Sequence, residues 1–86
     1  MTNDYLDKIN IALNKVLEKE VTINGKTSLR NDLEIDSVDM MSFYLELETE
    51  FDIEIPDSDL DENDFDVVSN IIRYVKEKQS ASNNSN

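Results

Sequence analysis

The chain has 86 residues, which is enough for one small domain with a single hydrophobic core. It has 20 Asp and Glu against 8 Lys and Arg, and the net charge of −12 disfavours nucleic acids and anionic membranes as partners while favouring basic protein surfaces. It has neither Cys nor His, which excludes disulfides, thiolate nucleophiles, imidazole bases and the usual zinc or copper ligands.

The N-terminal segment, MTNDYLDKIN, has neither the basic nor the apolar region of a secretory signal. No apolar run in the chain is long enough to cross a bilayer. We therefore expect a cytoplasmic protein without membrane insertion, and we expect it to be a monomer.

Turn-forming residues are scarce, since Gly25 and Pro56 are the single glycine and the single proline, and this scarcity favours helices. A first helix is predicted from Asp4 to Lys19, where five apolar residues recur at helical spacing: Leu6, Ile9, Leu13, Val16 and Leu17. Ile11 falls on the opposite side of this helix. It is therefore expected to be exposed or to be covered by a loop.

A second helix is predicted from Ser37 to Phe51, with Asp36 and Ser37 both suitable as N-caps. Apolar residues cover more than half of its circumference, so we expect it to be central and to contact other elements on most sides. Glu48 lies inside the apolar arc, and we expect its side chain to project into solvent.

The C-terminal part is predicted to contain a short helical turn from Ser58 to Asp64 and a last helix from Val67 to Lys78, with Asp66 as its cap. The buried stripe of the last helix is expected to comprise Val68, Ile71, Ile72 and Val75. Residues 79–86 have no large apolar side chain to bury and are expected to form a disordered polar tail. These elements predict an all-α fold, a bundle of three main helices plus one short helix over residues 1–78.

The stretch around Ser37 is the most informative for function. It has the sequence Asp36-Ser37-Val38-Asp39 at the start of the apolar helix, where backbone N–H groups lack partners and a phosphate attached to the hydroxyl is favoured. The tetrapeptide alone fits a simple N-cap better than a modification site.

A wider pattern resembles the acyl carrier protein family. The matching segments are Asp32-Leu33, Asp36–Asp39, Leu47–Asp57 (LETEFDIEIPD), Phe65–Val68 and Ile72–Val75. The resemblance covers Ser28 to Val75 and implies the small helical bundle of that family, with a non-catalytic role.

The resemblance also implies a prosthetic group on Ser37. In that family a phosphopantetheinyl transferase, with magnesium, attaches phosphopantetheine from coenzyme A to the matching serine. The thiol of the arm then holds an acyl group as a thioester, so a chain without Cys obtains its sulfur from a cofactor.

Partner recognition is expected along the helix that Ser37 begins. The resemblance implies that the acids at positions 36, 39 and 48 face basic transferases and acyl-processing enzymes. Val38 and Met41, followed one turn later by Leu45, are interpreted either as shelter for the arm or as ordinary core residues. The predicted recognition residues are Asp36, Val38, Asp39, Met41 and Glu48.

Several departures from the family pattern point to a specialised role. Glu34 stands where the family usually has glycine, Ser42 where fatty-acid carriers have an acid, and Glu46 where a small residue is typical. The segment between Pro56 and Phe65 is longer than usual. We therefore expect a carrier in a specialised polyketide, nonribosomal peptide or fatty-acid pathway.

Two alternatives from other classes are considered. Asp57 to Asn63 resembles the opening of a calcium-binding EF-hand loop, but Glu62 stands at its glycine position and Val68 at its final glutamate position. The other alternative is an acidic interaction module that has the carrier fold and is never modified.

Overall fold

The computed structural model describes residues 4–62 and 65–83. It contains four helices: α1 (Asp4–Leu17), α2 (Ser37–Phe51), α3 (Asp57–Glu62) and α4 (Val68–Asn83). The all-α prediction of three main helices plus one short helix is confirmed. Within the described residues, no helix has the length and apolarity that a membrane crossing requires.

The hydrophobic core lies between α1, α2 and α4, and the long loop between α1 and α2 closes it. Eight large side chains are fully buried: Phe43, Ile9, Leu13, Leu29, Leu47, Ile71, Val68 and Val75. Leu29 belongs to the loop, as do the buried Ile23 and Ile35, so the loop is an integral part of the core. Burial of each such side chain stabilises the fold by roughly 1.5–3 kcal/mol.

The first helix matches its predicted apolar pattern and ends two residues early. Ile9 and Leu13 are buried on one face, whereas Ile11 is 46% exposed on the other, so the exposed alternative for Ile11 is correct. The helix ends at Leu17 instead of Lys19 because Glu18 adopts a left-handed conformation with φ 57°, which terminates an α-helix.

The loop after α1 contains a tight turn that leads to α2. The Ser28 N–H donates to Asp32 Oδ2 at 2.8 Å, and the Asp32 N–H donates back to the Ser28 carbonyl at 2.8 Å. The Ile35 N–H donates to the Leu29 carbonyl at 3.1 Å. Glu34 closes the turn in the left-handed region at φ 54°, the region in which glycine is most easily accommodated.

The Asp66 carboxylate joins this loop to the start of α4. It accepts hydrogen bonds from the Ser28 hydroxyl at 2.5 Å and from the Arg30 N–H at 2.9 Å. The Asp66 carbonyl also accepts from the Leu29 N–H at 2.8 Å. Asp66 was expected to cap α4, and these bonds show that its carboxylate holds the loop.

Carbonyl groups of the same loop satisfy N–H groups in the first turn of α4. Val68 donates to the Thr27 carbonyl at 3.0 Å, and Ser69 donates to the Gly25 carbonyl at 2.9 Å. A helix start normally leaves such N–H groups without partners. The loop and α4 therefore stabilise each other, and the loop is fixed at the point from which it continues to α2.

The last helix extends beyond its expected end at Lys78. It continues to Asn83, so the expected disorder from residue 79 is wrong for residues 79–83; residues 84–86 lie outside the described residues. Gln79 explains part of the extension. Its amide accepts from the Tyr5 hydroxyl at 2.9 Å and donates to the Phe51 carbonyl at 3.3 Å, which joins α4 to α1 and α2.

The short helix α3 is held to α4 through Asp59. The Tyr74 hydroxyl donates to Asp59 Oδ2 at 2.6 Å, and the Lys78 ammonium lies 3.6 Å from the same carboxylate oxygen. The helix was predicted from Ser58 to Asp64 and is observed from Asp57 to Glu62. Residues 63 and 64 of that prediction lie outside the described residues.

We expect Glu34→Gly to stabilise the protein. The left-handed conformation costs an L-residue roughly 1–2 kcal/mol, and glycine removes this cost. The unfolded chain gains entropy with glycine, which reduces the benefit by about 0.5–1 kcal/mol. The expected net gain of about 0.5–1 kcal/mol raises the melting temperature by a few degrees. Glu34→Gln is the control, because it removes the charge and leaves the backbone cost; equal gains for both variants would mean that the charge is the cause.

Tyr74 is expected to make the fold sensitive to alkaline pH. Burial first, and then the hydrogen bond to Asp59 and the nearby negative charge of Asp59 and Glu48, raise the pKa of Tyr74 above its ordinary value. The folded protein therefore holds this proton more tightly than the unfolded chain does. Its contribution to stability is complete below about pH 10 and is lost as the pH rises beyond that value.

The comparison that tests this is between wild type and Tyr74→Phe, by urea unfolding at about pH 8 and about pH 11. Loss of the hydrogen bond lowers the stability of the variant by about 1 kcal/mol at the lower pH. The variant should then lose less stability than wild type on going to the higher pH. Equal losses in the two proteins would show that Tyr74 does not cause the pH dependence.

Candidate functional site

Asp36 caps the helix that begins with Ser37. Its φ of −95° and ψ of −179° are extended, its Oδ1 accepts from the Asp39 N–H at 2.8 Å, and its carbonyl accepts from the Met40 N–H at 2.9 Å. The sequence left Asp36 and Ser37 as equal cap candidates, and the structure assigns the cap to Asp36. The Ser37 hydroxyl is therefore not required to start α2.

The Ser37 side chain is exposed at the first position of α2. Within residues 4–62 and 65–83 its hydroxyl makes no hydrogen bond. Helix geometry leaves the N–H groups of Ser37 and Val38 without acceptors inside the helix, and the positive end of the helix dipole lies at the same point. An accessible hydroxyl in this position suits the attachment of a negatively charged phosphate group.

An open groove of about 610 Å³ lies beside Ser37. The loop provides one wall and the first half of α2 provides the other, and the lining residues are Arg30, Ile35, Asp36, Ser37, Met40, Met41 and Tyr44. Most of these side chains are apolar, and the groove has room for the first part of a flexible chain that starts at Ser37. The residues present therefore fit a prosthetic group attached to this serine.

An apolar stripe on α2 lies in solvent next to the groove. Val38 is 74% exposed, Met41 59% and Leu45 64%, and their spacing places them on one face of the helix. The interpretation of these residues as core is therefore wrong, as is the expectation that α2 contacts other elements on most sides. The buried face of α2 comprises Met40, Phe43, Leu47 and Phe51.

The acids near this stripe differ in their surroundings. Asp36 is exposed although its carboxylate is engaged as the cap, and Asp39 is half-buried in the first turn. Ser42, which stands where a carrier for fatty acids has an acid, is exposed. The first two turns of α2 thus present apolar groups together with the two carboxylates.

Glu48 has a structural contact that the sequence pattern did not indicate. Its Oε2 accepts from the Ile55 N–H at 2.7 Å, and the side chain is half-buried. The expectation that Glu48 projects into solvent is wrong. Its carboxylate fixes the extended segment after α2, and Ile53 and Ile55 of that segment are buried.

Glu46 has an internal partner as well. The Lys15 ammonium of α1 lies 3.9 Å from Glu46 Oε1 and 3.2 Å from Glu50 Oε2. The glutamate at position 46 therefore belongs to the contact between α1 and α2. An exposed pair of this kind stabilises a fold by less than about 1 kcal/mol.

The acidic run that resembles a calcium loop is helical from Asp57 to Glu62, where it forms α3. The carboxylate of Asp59 is engaged by Tyr74 and Lys78 instead of facing a common centre. Among the residues that the structure describes, no cluster of three or more candidate ligands is arranged to hold a metal ion. This geometry does not favour the EF-hand alternative.

Arg30 is the charged residue of the groove that sequence reasoning missed. Its place in the sequence is seven residues before Ser37, at the edge of a stretch from 31 to 72 without any Lys or Arg. The position of a cation at the edge of so acidic a stretch is the sequence feature that could have identified Arg30. The turn that returns the loop to the start of α2 is what brings Arg30 to the groove.

Comparison with known proteins agrees with this geometry. The family described as "Phosphopantetheine attachment site" matches residues 7–75. The acyl carrier protein of Lactobacillus acidophilus is 38% identical over 69 residues, which cover 80% of this chain and 82% of that protein. The acyl carrier protein of Rubrobacter xylanophilus is 34% identical over 79 residues, which cover 91% of this chain and 95% of that protein.

A solved structure shows the same fold. It is the solution structure of a candidate acyl carrier protein from Anaplasma phagocytophilum, which has a TM-score of 0.70 and 25% sequence identity to this chain. The match covers 98% of this chain and 92% of the other. The chain therefore belongs to the acyl carrier protein family, as a non-catalytic carrier that bears a phosphopantetheine arm, which implies modification by a phosphopantetheinyl transferase.

Proposed function

We propose that Ser37 is the attachment residue for phosphopantetheine. The observation that supports this is the exposed Ser37 hydroxyl, which is free of the capping role and opens onto the groove. In the transfer, the Ser37 oxygen bonds to the phosphorus of the pantetheine phosphate of coenzyme A and loses its proton, and adenosine 3′,5′-bisphosphate leaves. The thiol of the arm supplies the thioester chemistry that the chain lacks.

The stripe and its neighbouring acids form the proposed docking surface, defined as Asp36, Val38, Asp39, Met41 and Leu45. Apolar side chains as exposed as these lower the solubility of the free protein. Their burial against a partner is favourable because it removes them from water. The acids favour partners with basic surfaces and disfavour nucleic acids. Glu48, by contrast, is outside this docking surface, and its main role is to position the segment beyond α2.

The pathway proposed is a specialised one, in polyketide, nonribosomal peptide or fatty-acid synthesis. Its support is Ser42, an exposed neutral residue on the helix that partners contact, together with Glu46, which is engaged by Lys15. Ser42 reduces the acidic face available to fatty-acid enzymes, and the charge of Glu46 is compensated by Lys15. We also propose that the chain acts as a cytoplasmic monomer.

Attachment is tested by incubating the apo protein with coenzyme A, magnesium and several phosphopantetheinyl transferases. The intact mass of wild type should rise by one phosphopantetheine, and Ser37→Ala should abolish the gain. Ser42→Ala is the matched control, since it removes another exposed serine hydroxyl from the same helix. A wild type that no transferase modifies would support the unmodified interaction module, and a gain that persists in Ser37→Ala would place the arm elsewhere.

Docking is tested by the kinetics of the same transfer. Met41→Gln replaces an apolar surface by a polar one, and the lost burial of about 1–2 kcal/mol should lower kcat/KM about tenfold. Ile11→Gln is the control, because Ile11 is an exposed apolar residue on α1, outside the docking surface. Equal effects of the two substitutions, or no effect of Met41→Gln, would count against the docking surface.

A further inference from the structure

Arg30 is held in place by its own backbone. Its N–H donates to Asp66 Oδ1 at 2.9 Å, and the adjacent Leu29 N–H donates to the Asp66 carbonyl. The Leu29 side chain is fully buried. The position of Arg30 therefore depends on main-chain bonds and on its neighbours, while its own side chain is exposed and available for another role.

No carboxylate among the described residues forms an ion pair with the Arg30 guanidinium. Within residues 4–62 and 65–83, the ion pairs are those of Lys15 with Glu46 and Glu50 and of Lys78 with Asp59, and Arg30 takes part in none. An arginine that has no structural ion pair and lines the groove at Ser37 is placed to bind a negative group there.

The field of the Arg30 guanidinium reaches the wall of the groove. Burial raises the pKa of Tyr44, and the positive charge of Arg30 acts against this rise. Tyr44 and Ser37 line the same groove. The Arg30 charge therefore acts on a wall of the groove into which a group attached to Ser37 would extend.

A phosphodiester on Ser37 carries one negative charge and lies between two acids in the sequence, Asp36 and Asp39. Their repulsion disfavours it, and the helix N-terminus offsets only part of that repulsion. A guanidinium compensates such a charge well, since its planar donors match two phosphate oxygens at once.

We propose that the Arg30 guanidinium pairs with the phosphodiester on Ser37 and directs the first part of the arm along the groove. This inference rests on the proposed attachment at Ser37. Arg30 is then a positioning residue of the loaded carrier, and its side chain has no essential part in the fold of the apo protein.

The test compares the melting temperatures of apo and holo protein in wild type and in Arg30→Gln. The glutamine keeps the backbone N–H that binds Asp66, so the loop should remain folded. In wild type the pair offsets the repulsion between the phosphate and its acidic neighbours. Attachment of the arm should therefore change the melting temperature of Arg30→Gln less favourably than that of wild type. The two changes in melting temperature should differ by about 2 °C, and this difference should vanish in about 1 M salt.

Arg73→Gln is the matched control. Arg73 is the other arginine of the chain, and its side chain donates to Asn70 Oδ1 within α4 at 2.7 Å. The substitution changes the net charge equally but should leave the effect of loading as in wild type. If both substitutions alter that effect equally, total charge is responsible, and the proposed pair is refuted.

A spectroscopic readout separates a direct pair from a general stabilising effect. On conversion of apo to holo protein, the Nε–H resonance of Arg30 should shift, while that of Arg73 should not. Arg30→Lys should restore part of the thermal effect, because a lysine supplies the charge without the two-pronged geometry. An unshifted Arg30 resonance would overturn the proposal.

Mass spectrometry makes the two failures distinguishable. If wild type gains no phosphopantetheine, or gains it at a residue other than Ser37, the proposed function fails and the inference fails with it. If Ser37 is modified in wild type and in Arg30→Gln, but loading changes both melting temperatures equally, the inference alone is wrong.

Discussion

The connection between the Asp66 carboxylate and the loop before α2 is the constraint on which the site depends. A loop of 19 residues separates α1 from α2, and ordering it costs conformational entropy that its few buried apolar side chains offset only in part. The bonds from Ser28 and Arg30 to Asp66 join the loop to α4, and the first turn of α4 in turn needs the loop's carbonyl groups. The starting point of α2, and hence the place of Ser37, is set by this mutual dependence.

The acidic stretch serves the fold as well as recognition. Fifteen of the 20 acidic residues lie in the segment that starts at Asp32 and ends at Asp66, and their number alone would suit a broad docking surface for basic partners. Several of them accept internal hydrogen bonds instead: Asp32, Asp36, Glu48, Asp59 and Asp66. Each of these bonds stabilises the fold by about 1 kcal/mol or more, which helps to offset the mutual repulsion of so many negative charges. The proposed docking surface is correspondingly smaller and is centred on the apolar stripe of α2.

The sequence predicts the fold well where local signals are strong. The bounds of α2 were predicted correctly, since the cap at Asp36 and the extended segment before Pro56 are local features. The end of α4 was not, because Gln79 is held by Tyr5 and Phe51, which are distant in the sequence. The same limit applies to the site. A helix whose apolar residues cover most of its circumference does not indicate which face remains in solvent. Arg30 reaches the groove only through the turn of the loop, which its local sequence does not indicate.

The cap at Asp36 has a consequence for how the carrier changes during its working cycle. Asp36 supplies both the side chain and the carbonyl that begin α2, so the Ser37 side chain makes no contact on which the helix depends. With the arm on Ser37, as proposed, esterification of its hydroxyl would leave the contacts of the Asp36 cap intact. A carrier that meets successive enzymes while bearing different cargoes can then present the same surface at each stage, because the proposed attachment atom is one that the fold does not use.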